Sequence, residues 1–328
     1  PIEVMNVINA NSNIQVMDFG VPQGSILGPL LFLIYINDFR RSVKSGLVQH
    51  FADDTVILFR NTSMKNLNRI RTREISTFYD WLCANRLSLN STKSDVLLFR
   101  AKNKRCEVKF NLKVKNKRIP LSKKTTYLGI VLDSRLAWID QISELSKKLA
   151  RANGLLAKIR YYVDTPTIKS LYYSLFHSHM TYGCLTWGLA SKSNISRIIK
   201  LQQHALRIIT FSDYDAPTSD LFSQLKVLKL EDAIKLNLCF PVHDWYNNRL
   251  PKCFNKLFSY RASTINTRKQ HSLQLSLPLR RTERYGTCSI KFQGASLYNY
   301  LYDIDIKISN PKRTFGKEVK SLLMASYA

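Results

Sequence analysis

Apolar residues in the middle of the chain recur with a helical beat. Ile142, Leu145, Leu149, Ala152, Leu156 and Ile159 stand at steps of 3, 4, 3, 4 and 3, which puts them on one helix face. Lys147, Lys148, Arg151, Lys158 and Arg160 fall off that stripe. Thr165-Pro166 reads as an N-cap followed by proline at the first helical position, with Ile168, Leu171, Tyr172 and Leu175 on one face after it. A third helix, over about 195–210, carries Ile195, Ile198, Ile199, Ala205, Leu206 and Ile209. The first part of the chain has a different texture. Residues 14–21 alternate as an imperfect strand, Val21 to Ser25 make a turn, and Pro29 opens an apolar helix to about Phe39. Val48–Phe51 and Thr55–Phe59 are strand-like runs around Ala52-Asp53-Asp54, a hairpin pattern. Ser63 caps a helix to about Asn85, and residues 86–132 hold the β-type segments VLLFR, EVKFNLKV and TYLGIVL. The patterns predict an α+β part over 1–135, a helical part over 136–211 and a mixed, helix-rich part over 212–328.

The 328 residues suffice for about two domains, and 45% hydrophobic against 22% charged residues describe an ordinary globular chain. Charge changes that picture. Fifty Lys+Arg against 23 Asp+Glu leave +27, a surplus that repels itself unless it meets a polyanion. Nucleic acid or an anionic surface is the expected partner. The longest apolar run, Ile26 to Ile36, is eleven residues interrupted by Gly28-Pro29, too short to span a bilayer, so no membrane is expected. No secretory signal opens the chain, which begins with Pro1 and reads as a piece of a longer polypeptide. The six cysteines form no CxxC, which implies neither a zinc knuckle nor a disulfide framework and predicts an intracellular setting, nucleus or cytoplasm.

Five features bear on possible chemistry. Asp53-Asp54 at a hairpin tip can converge on one cation, and hard carboxylate oxygens of this kind suit Mg²⁺, which keeps waters and accepts substrate phosphates. The same pair also suits a plain turn. In Pro22-Gln23-Gly24-Ser25-Ile26-Leu27-Gly28-Pro29 the glycines admit close approach of backbone to ligand, and Gln23 offers donor and acceptor, although an ordinary strand-to-helix connection has the same form. Arg100 to Lys124 holds eleven Lys/Arg and one acid, a phosphate-tracking stretch or a lysine-protected sheet edge. His177 and His179 lie two apart on a helix and so face different ways, which argues against a zinc site with Cys184. Trp245, Tyr246, Tyr260, Tyr285, Tyr298 and Tyr300 stand among basic residues and fit core positions better than stacking platforms.

VPQGSILGPLLFLIYINDF followed by FADDT resembles the reverse transcriptases of non-LTR (LINE-type) retrotransposons, their jockey-like branch most closely. Asn85-Arg86-Leu87-Ser88-Leu89-Asn90 with Lys93 resembles the next polymerase motif, and Tyr127-Leu128-Gly129 the primer grip after it. Thr181-Tyr182-Gly183-Cys184, Trp187-Gly188 and Leu201 to Arg207 resemble a stretch these elements carry downstream. The resemblance implies a partial right-hand polymerase: a palm over 1–135, a helical thumb over 136–211, and an extension of unassigned role over 212–328. It implies RNA-directed DNA synthesis on an RNA template and DNA primer with dNTP substrates. Asp53 would be the metal-ligating carboxylate, Asp54 its supporting neighbour, and Gln23 and Gly24 the lining of the nucleotide pocket. Lys93 would be a proton donor to pyrophosphate, and Tyr127, Leu128 and Gly129 would hold the primer end. The family's two-metal site for Mg²⁺ also needs an aspartate strand upstream of the PQG loop. Only twenty-one residues precede Pro22, and Asp18 lies too close to the loop, so the site is expected to be incomplete in this chain. The alternative is an inactive nucleic-acid-binding remnant of a decayed element. A viral RNA-dependent RNA polymerase fits less well, since those carry Gly before the paired Asp and lack the downstream stretch.

Overall fold

The structure, a computed structural model, describes residues 2–3, 6–7, 10–11, 15–16, 20–21, 24–100, 112–114, 117–261, 274–279 and 286–327. The fold is α+β, with two compact units over Pro1–Gly129 and Ile130–Ala328.

The first unit opens with four two-residue strands, β1 (Ile2–Glu3), β2 (Asn6–Val7), β3 (Ala10–Asn11) and β4 (Gln15–Val16), paired β1 with β4 and β2 with β3. Of the strand expected over 14–21, only Gln15–Val16 is strand among the described residues; Gly20 turns out of it at φ 93°. Helix α1 (Leu27–Tyr35) begins two residues before the expected Pro29. Ser25 Oγ accepts the Gly28 N–H at 2.9 Å, and Pro29 falls in the first turn, where a missing N–H costs nothing. The helix tightens after Tyr35 into a 3₁₀ turn over Asn37–Ser42 instead of running on to Phe39. Strands β5 (Leu47–Phe51) and β6 (Asp54–Leu58) form the expected antiparallel hairpin. Helix α2 (Met64–Ala84) starts at Ser63, whose side chain accepts from the Asn66 N–H. It closes with Leu87 N–H to the Leu82 carbonyl and Arg86 N–H to that of Cys83, Arg86 lying at φ 53°.

Phe39, Val43, Phe78 and Leu82 are buried together, with Val48, Ile57, Phe59, Leu87 and Leu89 packed against them. Phe39 meets Phe78 and Trp81 edge-on at 4.7 and 5.1 Å between ring centres. Of VLLFR only β7 (Val96–Leu97) is strand. Of EVKFNLKV, residues 107–111 lie outside the described residues, while β8 (Leu112–Val114) pairs antiparallel with β9 (Lys117–Ile119). β10 (Leu121–Ser122) runs parallel to β7, and β11 (Lys124–Tyr127) ends the unit.

The second unit begins with β12 (Ile130–Asp133) and is otherwise helical. The expected run TYLGIVL is therefore two strands broken at Leu128-Gly129, both of which have positive φ (46° and 73°). Helix α3 (Ile139–Ile159) buries Ile142, Leu145, Leu149, Ala152 and Leu156, the stripe read from periodicity, with Ile159 half-buried. Helix α4 (Thr165–Leu171) is capped by Asp164, whose carboxylate accepts the Thr167 N–H at 3.1 Å; Thr165 is already helical and Pro166 its second residue. The cap reading is thus one residue late, because Asp satisfies an N-terminal donor as well as Thr does. A π-helical turn over Tyr172–His177 leads to α5 (Ser178–Thr181) and α6 (Cys184–Trp187). Then follow α7 (Lys192–Thr210), α8 (Ser219–Leu225), α9 (Leu230–Tyr246), α10 (Ile290–Asp303) and α11 (Lys312–Ala325). The core of α3 to α9 centres on Trp187, Tyr172, Phe176, Leu149, Leu206 and Ile198, and a second cluster joins α9, α10 and α11 through Val242, Tyr298 and Phe315.

Candidate active site

The β5–β6 hairpin turns in two residues. Phe51 pairs with Asp54, so Ala52 and Asp53 form the turn, and Ala52 at φ 51° supplies the left-handed residue that tight hairpins require. His50 pairs with Thr55 one rung below, its Nδ1 3.0 Å from Thr55 Oγ1. The His50 ring also meets the buried Phe39 edge-on at 4.4 Å, and burial holds its pKa below the ordinary value, so the imidazole is neutral at pH 7. Asp53 and Asp54 are both exposed. Among the described residues neither carboxylate enters an ion pair. Exposed carboxylates at a hairpin tip fit a divalent cation that keeps its own waters. Among the described residues no three His, Cys, Asp or Glu converge on a metal-sized volume.

Glu74 on α2 holds the root of the hairpin. Its carboxylate accepts the Lys44 N–H at 2.6 Å, the Ser45 N–H at 3.2 Å and the Ser45 hydroxyl at 3.2 Å, and it pairs with Arg73 at 2.9 Å. Burial works to raise its pKa, but the hydrogen bonds from Arg73, Lys44 and Ser45 outweigh that and leave it below the usual carboxylate value.

Of the other expected site residues, Gln23 lies outside the described residues, and Gly24 is exposed at φ 90°, a conformation glycine enters without strain. Tyr35 at the end of α1 donates its hydroxyl to the Asn85 carbonyl, tying α1 to the Asn85–Asn90 segment. Lys93 is exposed in a turn built by Asn90, whose Oδ1 accepts from the Thr92 N–H, the Thr92 hydroxyl and the Lys93 N–H. Leu87 and Leu89, just before that turn, pack on the same apolar cluster as the hairpin strands. Tyr127 and Leu128 are half-buried, and Gly129 is exposed.

Asp95 was not among the expected residues. It receives the Ser122 hydroxyl at 2.7 Å and the Thr125 hydroxyl at 3.2 Å, joining the Lys93 turn to β10 and β11. Its signal in the sequence was an acid within an otherwise basic region. Glu74 gave none, because the Lys44 and Ser45 groups it accepts from lie about thirty residues away.

On β8 and β9 the pleat separates two functions. Leu112, Val114 and Ile119 are buried against Ile75, Tyr79, Leu89 and Val96, while Lys113 and Arg118 are exposed and directly opposite each other. Like charges paired across strands are destabilising. On α3 the exposed Lys147, Lys148, Arg151 and Lys158 lie away from the buried stripe.

The downstream stretch that carried part of the resemblance is structural here. A Cβ on Gly183 (φ 58°) would run into Ile130 Cδ1, and one on Gly188 would run into the Cys184 carbonyl oxygen. The buried Trp187 donates its indole N–H to the Tyr182 carbonyl at 3.0 Å. His177 packs its ring near Tyr172 and Tyr173, and burial pushes the Cys184 thiol up to about 11.

Comparison with known proteins gives the same direction. Residues 3–132 match the family model for reverse transcriptase (RNA-dependent DNA polymerase). The chain is 28% identical over 276 residues to the "Probable RNA-directed DNA polymerase from transposon X-element" of Drosophila melanogaster, covering 81% of this chain and 30% of the relative. It is 26% identical over 242 residues to the "RNA-directed DNA polymerase from mobile element jockey" of the same species, covering 70% of this chain and 26% of the relative. A third Drosophila melanogaster relative, the "Probable RNA-directed DNA polymerase from transposon BS", is 27% identical over 241 residues, covering 70% of this chain and 26% of the relative. The chain thus spans less than a third of these curated relatives. No solved structure matches it. The resemblance to LINE-type reverse transcriptases read from PQG, ADD and YLG is borne out by these matches.

Proposed function

From a chain whose residues 3–132 match the family model for reverse transcriptase, we propose that it serves RNA-directed DNA synthesis by a non-LTR retrotransposon. RNA template, DNA primer and dNTP are its ligands, and its setting is intracellular. Among the described residues no helix is long and apolar enough to cross a membrane. The observation that carries the reading is the exposed Asp53-Asp54 pair at the tip of a hairpin whose root is fixed by Glu74 and whose flanks rest on Phe39 and its neighbours.

In this reading residues 1–135 are palm and α3 belongs to a thumb over 136–211. Asp53 would ligate Mg²⁺ with Asp54 in support, and an aspartate strand upstream of the PQG loop would complete the set. When bound, Mg²⁺ supplies charge stabilisation to the transferring phosphoryl group. Gln23 and Gly24 line the nucleotide pocket by backbone approach. Lys93, kept in its turn by Asn90, delivers a proton to the leaving pyrophosphate. Tyr127, Leu128 and Gly129 hold the primer end at a reversal of the chain. The Lys113–Arg118 pair supports the nucleic-acid part independently: facing like charges cost stability that a bound phosphate backbone offsets.

The test is primer extension on an RNA template, measured with this chain joined to an upstream fingers-and-palm segment. Asp53→Asn is expected to lose at least about 10³-fold, since a metal ligand acts on transition-state charge. Full extension by Asp53→Asn would end the assignment. Primed-hybrid binding without extension in the unsubstituted protein would favour the alternative, a nucleic-acid-binding remnant.

A further inference from the structure

The loop after α9 builds a cleft. Trp245, Tyr246, Asn248, Leu250, Asn255 and Tyr260 line a space of about 240 Å³ within the second unit. That is smaller than drug-sized sites of about 300–1,000 Å³ and is on the scale of a single heterocycle. The core reading favoured by the sequence fails for the two tyrosines of this cleft but holds for Trp245, which is half-buried against the cluster of α9, α10 and α11. Tyr246 and Tyr260 are exposed, whereas Tyr298 behind them is 2% exposed. Tyr300 is also exposed, and Tyr285 lies outside the described residues. Trp245 is fixed before any ligand arrives: its indole N–H donates to the Asn255 carbonyl at 3.3 Å, and its ring meets Phe258 edge-on at 5.4 Å. Tyr260 stands 5.6 Å from it, tilted by 51°.

The segment that forms this cleft carries charge of one sign. Residues 245–261 contain Arg249, Lys252, Lys256 and Arg261 and no acid. All four are exposed, and among the described residues none enters an ion pair. The flanking Asp244 is bound to Lys312 at 2.6 Å. Aromatic faces, two amide side chains and unneutralised cations are the combination that recognises an unpaired base on a phosphate chain.

We propose that the Trp245–Tyr246–Tyr260 cleft binds single-stranded nucleic acid, stacking one unpaired base while Arg249, Lys252, Lys256 and Arg261 hold the adjoining phosphates. Asn248 and Asn255 present amide donors and acceptors to the edge of that base. The site is separate from the residues matched to the polymerase family, and it stands whether or not Asp53 is catalytic. Stacking serves RNA and DNA alike, so the shared chemistry is the exposed base and its phosphates.

The experiment uses the whole chain, with short oligonucleotides of one length: single-stranded RNA, single-stranded DNA, an abasic strand and a duplex. Base-bearing single strands should bind more tightly than the abasic strand. The variant Tyr246→Leu with Tyr260→Leu, checked for native circular dichroism, should lose at least about fivefold in affinity for them. Its affinity for the abasic strand should not change. Whichever of RNA and DNA binds better identifies the natural strand. A strand carrying 5-iodouracil should photocross-link to residues 245–261 of the unsubstituted chain, a readout that needs no variant to fold. Equal affinity for abasic and base-bearing strands, duplex binding as tight as single-strand binding, or cross-links confined elsewhere would each overturn the proposal.

Discussion

Phe51 and Asp54 are the last cross-strand pair of the β5–β6 hairpin, which leaves Asp53 in the turn and Asp54 on the strand. The two carboxylates are neighbours in sequence but stand on different kinds of backbone, and their substitutions should not be equivalent. In primer extension by the chain joined to its upstream segment, Asp54→Asn is expected to cost less than Asp53→Asn. Equal losses would make the two a symmetric pair and remove the distinction between ligand and support.

The Lys113–Arg118 pair offers a test through salt. Changing both to Gln should lower the slope of log affinity against log salt for an RNA–DNA hybrid by about two, one for each phosphate no longer neutralised. The same change should stabilise the hairpin by a few tenths of a kcal/mol, by removing like charges opposite each other. An unchanged slope would take β8 and β9 out of the binding surface.

Glu74 predicts an acid-sensitive hairpin root. Its folded pKa is depressed, so its contribution is present above the unfolded value of about 4.3 and is lost as pH falls through the folded value. Glu74→Gln should cost about 1–3 kcal/mol at pH 7, because two N–H groups lose a charged acceptor. Melting curves of both proteins should converge as the pH is lowered below about 4. A gap that stays constant down to pH 3 would show that the carboxylate charge is not what holds Lys44 and Ser45.

Gln202 should prove structural. It is fully buried, donates to the Tyr172 hydroxyl at 3.1 Å and to the Leu228 carbonyl at 2.8 Å, and accepts the Leu230 N–H at 2.9 Å. Gln202→Leu strands three buried polar groups and should lower stability by at least about 3 kcal/mol in denaturant unfolding. Gln203→Leu, at a half-buried position, should stay within about 1 kcal/mol. Gly188→Ala belongs with the first, since its Cβ would meet the backbone oxygen of Cys184 and should cost about 1–3 kcal/mol. Comparable stabilities for Gln202→Leu and Gln203→Leu would contradict the buried network.

Periodicity alone determined the face of α3 that is buried, because side chains at 3.6-residue spacing share one neighbour, whatever that neighbour is. Alternation alone likewise determined the hairpin around Asp53-Asp54, because strand pairing across a two-residue turn is a local event. Local rules erred at boundaries, at Leu27 for Pro29 and at Asp164 for Thr165, where several residue types satisfy the same orphan N–H. Tertiary structure decided the rest. Glu74 and Asp95 matter through partners about thirty residues away, and Gln202 through an N–H twenty-eight away. Nor does hydropathy separate Tyr298 in the core from Tyr260 on the rim of a cleft. The same amide or phenol is exposed, paired or stacked according to which distant element arrives beside it, and that is set only when the chain packs.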